Sequence, residues 1–297
     1  MIADGQLLAV ALATRNRPAA IKNVLDALER QQESFEVVIV DQSDPVDAEL
    51  EARVSASPSL HLIQDDGAGL ARARNLGWRS VGATWIAFLD DDTPPEPDWA
   101  RSLREELEAR PDVDMVSGTV TLVGSVDGDY PGLGAFIVER PEVVSGRWTR
   151  PWRVAGGIST IRRSAIERLG GWDERFGAGS ADFPGSEDMD FNYRLTRSGG
   201  SVYLTPRVRV GHDQWRAGHE VLDVYAAYNR AWGGLIVKQL RTGDPLGAAM
   251  LAAGRLRGIL RIVKSAIESR SSSRLGLARA ELRGFLRGVR TGLRRSW

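Results

Sequence analysis

Hydrophobic positions follow two alternating rhythms through the first 125 residues. "LLAVALAT" (7–14) is a continuous apolar run, as expected for a strand covered on both faces. Pro18 suits the first turn of a helix that presents Ile21, Leu25 and Leu28 at helical spacing. "FEVVIVD" (35–41) reads as a second buried strand that ends on Asp41. A short helix around Asp47–Val54 and a third strand, "LHLIQDD" (60–66), follow. The next helix starts near Gly69; its spacing turns Leu70, Ala73, Leu76 and Gly77 inward and Arg72 and Arg79 outward. "TWIAFLDDD" (84–92) is the fourth strand, and "PDWARSLREELEAR" (97–110) a helix with Trp99, Leu103 and Leu107 on one face. "VDMVSGTVTLV" (113–123) is the fifth strand. Strands separated by helices predict an α/β fold with a mostly parallel, twisted sheet and right-handed crossovers.

The fourth strand carries the chemistry that stands out. Ile86 to Leu89 run straight into Asp90, Asp91 and Asp92, and two prolines follow. A buried strand that terminates in carboxylates holds them at the open edge of a sheet, where α/β folds place their ligand crevice. Three acids in a row repel one another and are tolerated best beside a cation. Oxygen ligation of that kind suits Mg²⁺ or Mn²⁺ completed by substrate phosphates. The competing reading is a solvated turn or helix N-cap, because Asp-Thr-Pro-Pro also starts a helix. Thr14, Asp41 and Asp90–Asp92 all fall at strand ends and would line one rim. No G-x-G-x-x-G follows the first strand, and G-x-x-x-x-G-K-[ST] is absent, so a dinucleotide-binding Rossmann domain and a P-loop NTPase are poorly supported.

A second constellation lies about a hundred residues on. Gly156-Gly157 and Gly170-Gly171 allow close backbone approach, and a Gly/Ser-rich loop (177–186) leads to Ser186, a good N-cap residue. Glu187, Asp188 and Asp190 then fall in the first turn of a helix whose apolar face holds Phe191 and Leu195. The helix dipole stabilises acids there, but three acids in four residues exceed what capping needs, and one of them is a candidate general base. "SVYLTPRVRVGHDQW" (201–215) reads as a strand ending at Gly211-His212, with Asp213 and Trp215 after it. His212 is either structural or a metal ligand through its neutral imidazole. His61 and His219 receive no role.

Charge divides the chain in two. The totals cancel at 39 basic and 39 acidic residues, yet from Lys238 onward there are fourteen Lys or Arg against three acids. The segment therefore carries +11 and the rest −11. Leu256, Ile259, Leu260, Val263 and Ile267 make one apolar stripe there; Leu275, Leu282, Phe285, Leu286, Val289 and Leu293 make another, each bordered by Arg. Such stripes suit an anionic bilayer surface, or packing on the catalytic part or on a second subunit in a homo-oligomer; with no nucleic-acid motif and few interleaved aromatics, no nucleic-acid partner is expected. No apolar run approaches 18 residues, the N-terminus lacks a signal-peptide pattern, and there is no Cys. The expected setting is cytoplasmic, peripheral on the inner face of the plasma membrane.

Taken in order, "ALATRNRP", "VVIVDQSD", "GLARARNLGWRSVGATWIAFLDDD", "GGWDERFGAG…SEDMDFNYRL" and "VGH" resemble glycosyltransferase family 2, the inverting transferases of GT-A fold, over roughly residues 6–215. The resemblance implies a nucleotide-sugar-binding half (1–110) and an acceptor-binding half (111–215) of one catalytic domain, with a helical, basic extension over 216–297. It implies that the Thr14–Pro18 region, with Thr14, Arg15 and Asn16 foremost, and Asp41 hold nucleobase and ribose, with Arg74 and Asn75 bordering the nucleotide. Asp90 and Asp92 match the D-x-D motif, Asp92 as a ligand of Mn²⁺ or Mg²⁺ and Asp90 nearer the ribose, with Asp91 between them also binding substrate; His212 matches a residue that completes the metal shell. Asp188 would be the base, Glu187 and Asp190 its support or acceptor contacts, with Gly156, Gly157 and Trp215 also binding substrate. Two positions depart from the pattern: Gln42 stands where a second acid usually follows Asp41, and Ile158-Ser159 where an Asn and small apolar residues usually follow the glycine pair.

The implied activity is metal-dependent, inverting transfer of a hexosyl or deoxyhexosyl group from a nucleotide-diphosphate sugar to a hydroxyl of a glycan or lipid-linked acceptor. A sugar nucleotidyltransferase would share the acids but needs a Gly-rich basic loop after the first strand, and "TRNRPAA" has no Gly. An idle binding protein would tolerate loss of the acids, and both clusters are present.

Overall fold

The computed structural model describes residues 6–123, 135–213 and 219–297. The first half follows the sequence pattern: β1 (Leu8–Thr14), α1 (Pro18–Glu29), β2 (Glu36–Asp41), α2 (Ala48–Ala56), β3 (Leu60–Gln64), α3 (Leu70–Ser80), β4 (Trp85–Asp90), α4 (Trp99–Ala109) and β5 (Met115–Val123). β6 (Glu142–Ser145), a 3₁₀ turn (Pro151–Arg153), β7 (Ile158–Arg162), α5 (Arg163–Leu169), α6 (Glu187–Arg197) and β8 (Ser201–Asp213) follow. Three long helices end the chain: α7 (His219–Arg241), α8 (Pro245–Glu268) and α9 (Ser272–Leu293).

The eight strands form one sheet in the order β3-β2-β1-β4-β7-β5-β8-β6. The expected parallel order holds for β3-β2-β1-β4 and again for β5-β8. β7 is a strand the sequence pattern did not single out. It runs antiparallel between β4 and β5, and β6 runs antiparallel on β8, so the sheet is mixed in its second half. β7 follows the Gly156-Gly157 turn directly, so its N-terminal end lies at the rim where β4 ends in Asp90, with Leu89 paired to Ile158.

Register explains how the rim is built. Thr14 pairs with Asp41 across β1/β2, and Ala13 with Asp90 across β1/β4. Because parallel strands share a direction, their final residues reach one edge together. Apolar side chains fill both faces of the sheet, one core gathering Leu12, Ile39, Trp85 and Leu103 and the other Phe88, Ile161, Trp172 and Phe191.

The helical extension expected over 216–297 is present as α7–α9, and it shares a core with the catalytic part. Ala231, Leu235 and Leu251 pack with Phe176, Phe183 and Tyr193 in a third cluster, and Trp297 stacks on Phe176 and Phe183 at 6.0 and 5.5 Å. Tyr193 donates to Asp244 at 2.6 Å, and Lys238 bonds Asp173 and Asp190. α9 lies on α7 through small residues: a Cβ added at Gly284 or Gly288 would collide with the carbonyls of Ala226 and Arg230. Close backbone approach of that kind fixes the register between two helices. No described helix is long and apolar enough to cross a membrane.

Candidate active site

The carboxyl ends of β1 and β4, the Gly156-Gly157 turn and the start of α6 enclose one cleft of about 720 Å³. Thr14, Arg15, Asp90, Asp91 and Asp92 line it from the strand ends; Gly156, Gly157, Glu187, Asp188 and His212 line it from the second half. Asp41 and Asn16 open instead, with Thr14 and Arg17, into an adjoining recess of about 260 Å³. Asp41 Oδ1 there accepts from the Ser43 amide at 2.8 Å, and Ser43 Oγ in turn accepts from the Asn16 amide at 2.7 Å, with Asn16 in left-handed backbone at φ 56°. Trp215 lies outside the described residues.

Arg74 is the hub of the cleft. Its Nη2 donates to Asp90 at 2.9 Å, and its Nη1 donates to Glu187 at 3.1 Å and Asp188 at 2.5 Å. The Arg74 side chain is 4% exposed, and it is not among the residues lining the cleft. One cation facing three carboxylates leaves a charge deficit. Burial and the neighbouring Asp188 push the Glu187 carboxyl up to about 8, against the pull of Arg74. Burial also raises Asp188, again against Arg74.

The glycine pair opens space beside two of these acids. A Cβ at Gly156 would fall on Asp188 Oδ2, and one at Gly157, where φ is +70°, on Asp90 Oδ2. Any side chain there would displace the carboxylate it met, so the missing Cβ keeps each second oxygen clear.

Arg17, within the Thr14–Pro18 region, reaches the strand-end acids rather than the Asp41 side alone. It bonds Asp91 and, at 3.0 Å, Asp92 Oδ2; Thr14 Oγ1 also donates to Asp91 at 2.8 Å. Burial nevertheless pushes Asp91 up to about 7. Asp92 Oδ1 faces His212 Nε2 at 3.8 Å. Among the described residues no group of three or more acidic, His or Cys side chains converges as a metal cage. A carboxylate oxygen and an imidazole nitrogen alone still fit Mg²⁺ or Mn²⁺, which are held by few protein ligands and finish their shell with phosphate and water.

Two candidate residues have structural tasks. Asn75 donates to Trp172 O and Glu174 Oε1, both at 2.9 Å, and accepts from the Trp172 amide, tying α3 to the "GGWDE" segment. Asp190 is 0% exposed and turns away from the cleft, where Lys238 Nζ and Arg194 Nε donate to it at 2.5 and 2.8 Å. A helix rotates about 100° per residue, so Asp188 and Asp190 point to different sides of α6. Ser186 does occupy the N-cap position, but in left-handed backbone at φ 61° and with no side-chain cap bond. Gln42, the departure after Asp41, donates to Asp65 at 2.8 Å and receives the Gly69 amide at 3.1 Å, so it braces the start of α3.

The model of the family described as glycosyl transferase family 2 matches residues 9–170. The chain belongs to that family. Polypeptide N-acetylgalactosaminyltransferase 16 of Mus musculus is 27% identical over 218 residues, covering 66% of this chain and 38% of that protein. Chondroitin synthase of Escherichia coli is 25% identical over 234 residues, covering 67% and 33%. This glycosyl transferase family 2 chain therefore spans less than two fifths of the length of either relative. The fold is shared with the mannosyltransferase PcManGT from Pyrobaculum calidifontis, solved with GDP-Man and Mn²⁺: TM-score 0.62 at 16% identity, over 98% of this chain and 89% of that one. It is shared also with S. aureus TarS 1-349 in complex with UDP-GlcNAc, at TM-score 0.58 and 13% identity over 93% and 91%.

Several residues lining the cleft, all but Trp152 from beyond the matched segment, escaped the sequence reading. Trp152 from the 3₁₀ turn, Tyr225, Tyr228, Asn229 and Trp232 from α7 and Arg255 from α8 all face it. The signal was the string "YAAYNRAW" (225–232), whose large residues recur at helical spacing.

Proposed function

We propose that the protein is a metal-dependent, inverting glycosyltransferase that moves a sugar from a nucleotide-diphosphate donor to a hydroxyl of a glycan or lipid-linked acceptor. The observation that carries this reading is one cleft, in a chain of this family, where the β4-end acids meet Asp188 from α6 around a buried arginine. Asp188 serves as general base. Arg74 holds its Oδ1, Gly156 leaves Oδ2 clear, and burial raises its proton affinity, which suits a group that must take a proton. The acceptor hydroxyl loses its proton to Asp188 as its oxygen attacks the anomeric carbon, and the bond to the diphosphate oxygen breaks on the opposite face. One displacement inverts the centre and requires no covalent enzyme intermediate.

Asp92 and His212 would hold Mn²⁺ or Mg²⁺, which when bound neutralises charge growing on the departing diphosphate. Thr14 and Arg17 hold Asp91; Asp41, with Asn16 in the same recess, would meet the nucleoside, and Arg15 would approach it from the cleft. Calorimetry with UDP and GDP tests the donor half: Mn²⁺ should tighten binding in the wild type, and Asp92→Ala should abolish that dependence while the protein stays folded. Nucleotide affinity that ignores both metal and substitution removes the reading.

An anionic membrane surface belongs to the same proposal. After α8 and α9 have packed, Leu256 and Leu260 on α8 and Leu282 and Leu286 on α9 remain exposed, Leu286 by 58%. Arg257, Arg261, Arg283 and Arg287 adjoin them in sequence and are exposed as well. Uncovered leucines among arginines suit a bilayer with anionic headgroups, and the setting would be cytoplasmic, peripheral on the inner face of the membrane. The full-length protein should sediment with phosphatidylserine vesicles at low salt, release as salt rises, and lose binding in Leu286→Glu. No sedimentation at low salt refutes this part alone.

A further inference from the structure

The cleft has a second lining, and it is aromatic. On α7, Tyr225, Tyr228, Asn229 and Trp232 sit at i, i+3, i+4 and i+7, one face of the helix, and all four line the cleft. Trp152 meets Trp232 with ring centroids 5.5 Å apart, and the Arg255 guanidinium stands 5.4 Å from the Trp232 centroid. Glu281 of α9, 1% exposed, holds Arg255 from behind. An aromatic helix face is ordinarily core, yet this one is not sealed: Tyr228 is 44% exposed, and Trp152 and Trp232 are half-buried. Asn229 is 2% exposed, and its Oδ1 has no hydrogen-bond partner among the described residues. A buried acceptor without a donor is unfavourable, and a ligand hydroxyl would satisfy it.

We propose that this face is the acceptor subsite and that its occupant is a saccharide ring; the proposal rests on the transferase reading above. A pyranose presents C–H groups on its faces and hydroxyls around its edge. Aromatic faces carry negative quadrupoles that attract the C–H face, while Asn229 supplies an acceptor and Arg255 a donor for edge hydroxyls. A lipid alcohol needs a continuous apolar lining, and the same cleft carries Asp90, Asp91, Asp92, Glu187 and Asp188. An extended peptide needs pairing for its backbone amides, which a helix face cannot give because its own amides are spent within the helix. The chemistry therefore selects a glycan acceptor, its ring on Trp232 and Tyr228 and one hydroxyl presented to Asp188.

The test uses the full-length protein, an immobilised glycan array and a Ser/Thr peptide array, with binding of Mn²⁺ plus UDP or GDP measured in parallel. The wild type should retain a subset of glycans and no peptides. Tyr228→Ala and Trp232→Ala should each weaken retention about tenfold, the loss of one aromatic face, while Trp232→Phe keeps it. Nucleotide affinity should be unchanged in all three. Tyr228 is exposed enough that its truncation leaves the fold intact, which thermal denaturation checks. A wild type that retains no glycan, one that prefers peptides, or glycan retention indifferent to Tyr228→Ala and Trp232→Ala overturns the proposal. Loss of nucleotide binding in the wild type strikes the donor reading instead and leaves glycan retention to be judged separately.

Discussion

Two buried cations gather carboxylates around α6, and they do opposite things with them. Arg74, from α3, joins Asp90, Glu187 and Asp188 on the cleft side. Lys238, from α7, joins Asp173 and Asp190 in the interior, with Arg194 and Arg175 adding further bonds. The Lys238 group has cations enough for its acids, three for two, and Asp190 at its centre is sealed, 0% exposed. The Arg74 group has one cation for three acids, and Asp188 keeps 24% of its side chain in contact with solvent. Surplus negative charge facing a cleft is poised for a cation or a proton; acids fully partnered inside a core hold helices together. Four residues of one helix turn thus supply both an acid that faces the cleft and one locked in the interior.

The largest effect should come from swapping the two acids of α6. Asp188→Asn is expected to stay folded, bind Mn²⁺ and nucleotide normally, and lose turnover by about 10²–10⁴-fold, the usual worth of a positioned base. Asp190→Asn should do the reverse, lowering the melting temperature while turnover per folded molecule stays near wild type. Turnover lost in Asp190→Asn at unchanged stability would dissolve the distinction.

Removing a cation is expected to cost somewhat less. Lys238→Met leaves Asp173 to Arg175 and Asp190 to Arg194 alone and should destabilise in chemical denaturation by about 1–3 kcal/mol, since two hydrogen bonds to buried carboxylates go but neither acid is left without a cation. The double variant Lys238→Met/Asp190→Asn should lose less than the sum of the two single variants, because both substitutions remove the same ion pair. A Lys238→Met protein as stable as the parent would mean that the interior group carries no weight.

The smallest effect is a pH signature of opposite sign for the two groups, measured in EDTA. Burial raises the Asp173 carboxyl, but Arg175 and Lys238 outweigh it and hold Asp173 well below the usual carboxylate range. Its stabilisation is therefore complete above pH ~4 and lost as pH falls below that. Glu187, pushed up to about 8, favours the protonated form in the fold, so its contribution worsens as pH climbs from ~4 through about 8. Asp173→Asn should flatten the acid limb of stability against pH, and Glu187→Gln the alkaline one. Identical profiles for both variants would contradict the charge assignment.

How much of this could be read beforehand depends on distance along the chain. That Thr14, Asp41 and Asp90 share a rim was legible, because consecutive buried strands of parallel direction bring their ends to one edge. That Arg74 bonds the acids was not. Helical spacing turned Leu70 and Leu76 inward, whereas the structure buries Ala71, Ala73, Arg74, Asn75 and Gly77 and leaves those leucines half-buried. α3 packs on β1 and β2 through small residues, with Gly77 facing Ala11 and Val38, and the arginine gains three carboxylates that no local window contains. The same blindness hid the antiparallel β7.

The C-terminal helices show the division most plainly. Their existence, their basic charge and their apolar stripes follow from residue order, since helical periodicity and charge are local properties. Which stripe is covered was a tertiary matter: Ile259 is buried while Leu256 and Leu260 stay exposed. Joining α7 to the cleft was likewise decided by a glycine-lined contact with α9 and by Lys238 reaching Asp190. The sequence by itself determined the elements, the strand-end acids and the family, because each depends on neighbours in the chain. Only the folded chain decided which acids face solvent, which cations hold them and which helix walls the cleft, because those depend on burial and on Coulomb energies between groups that the sheet brings together from distant segments.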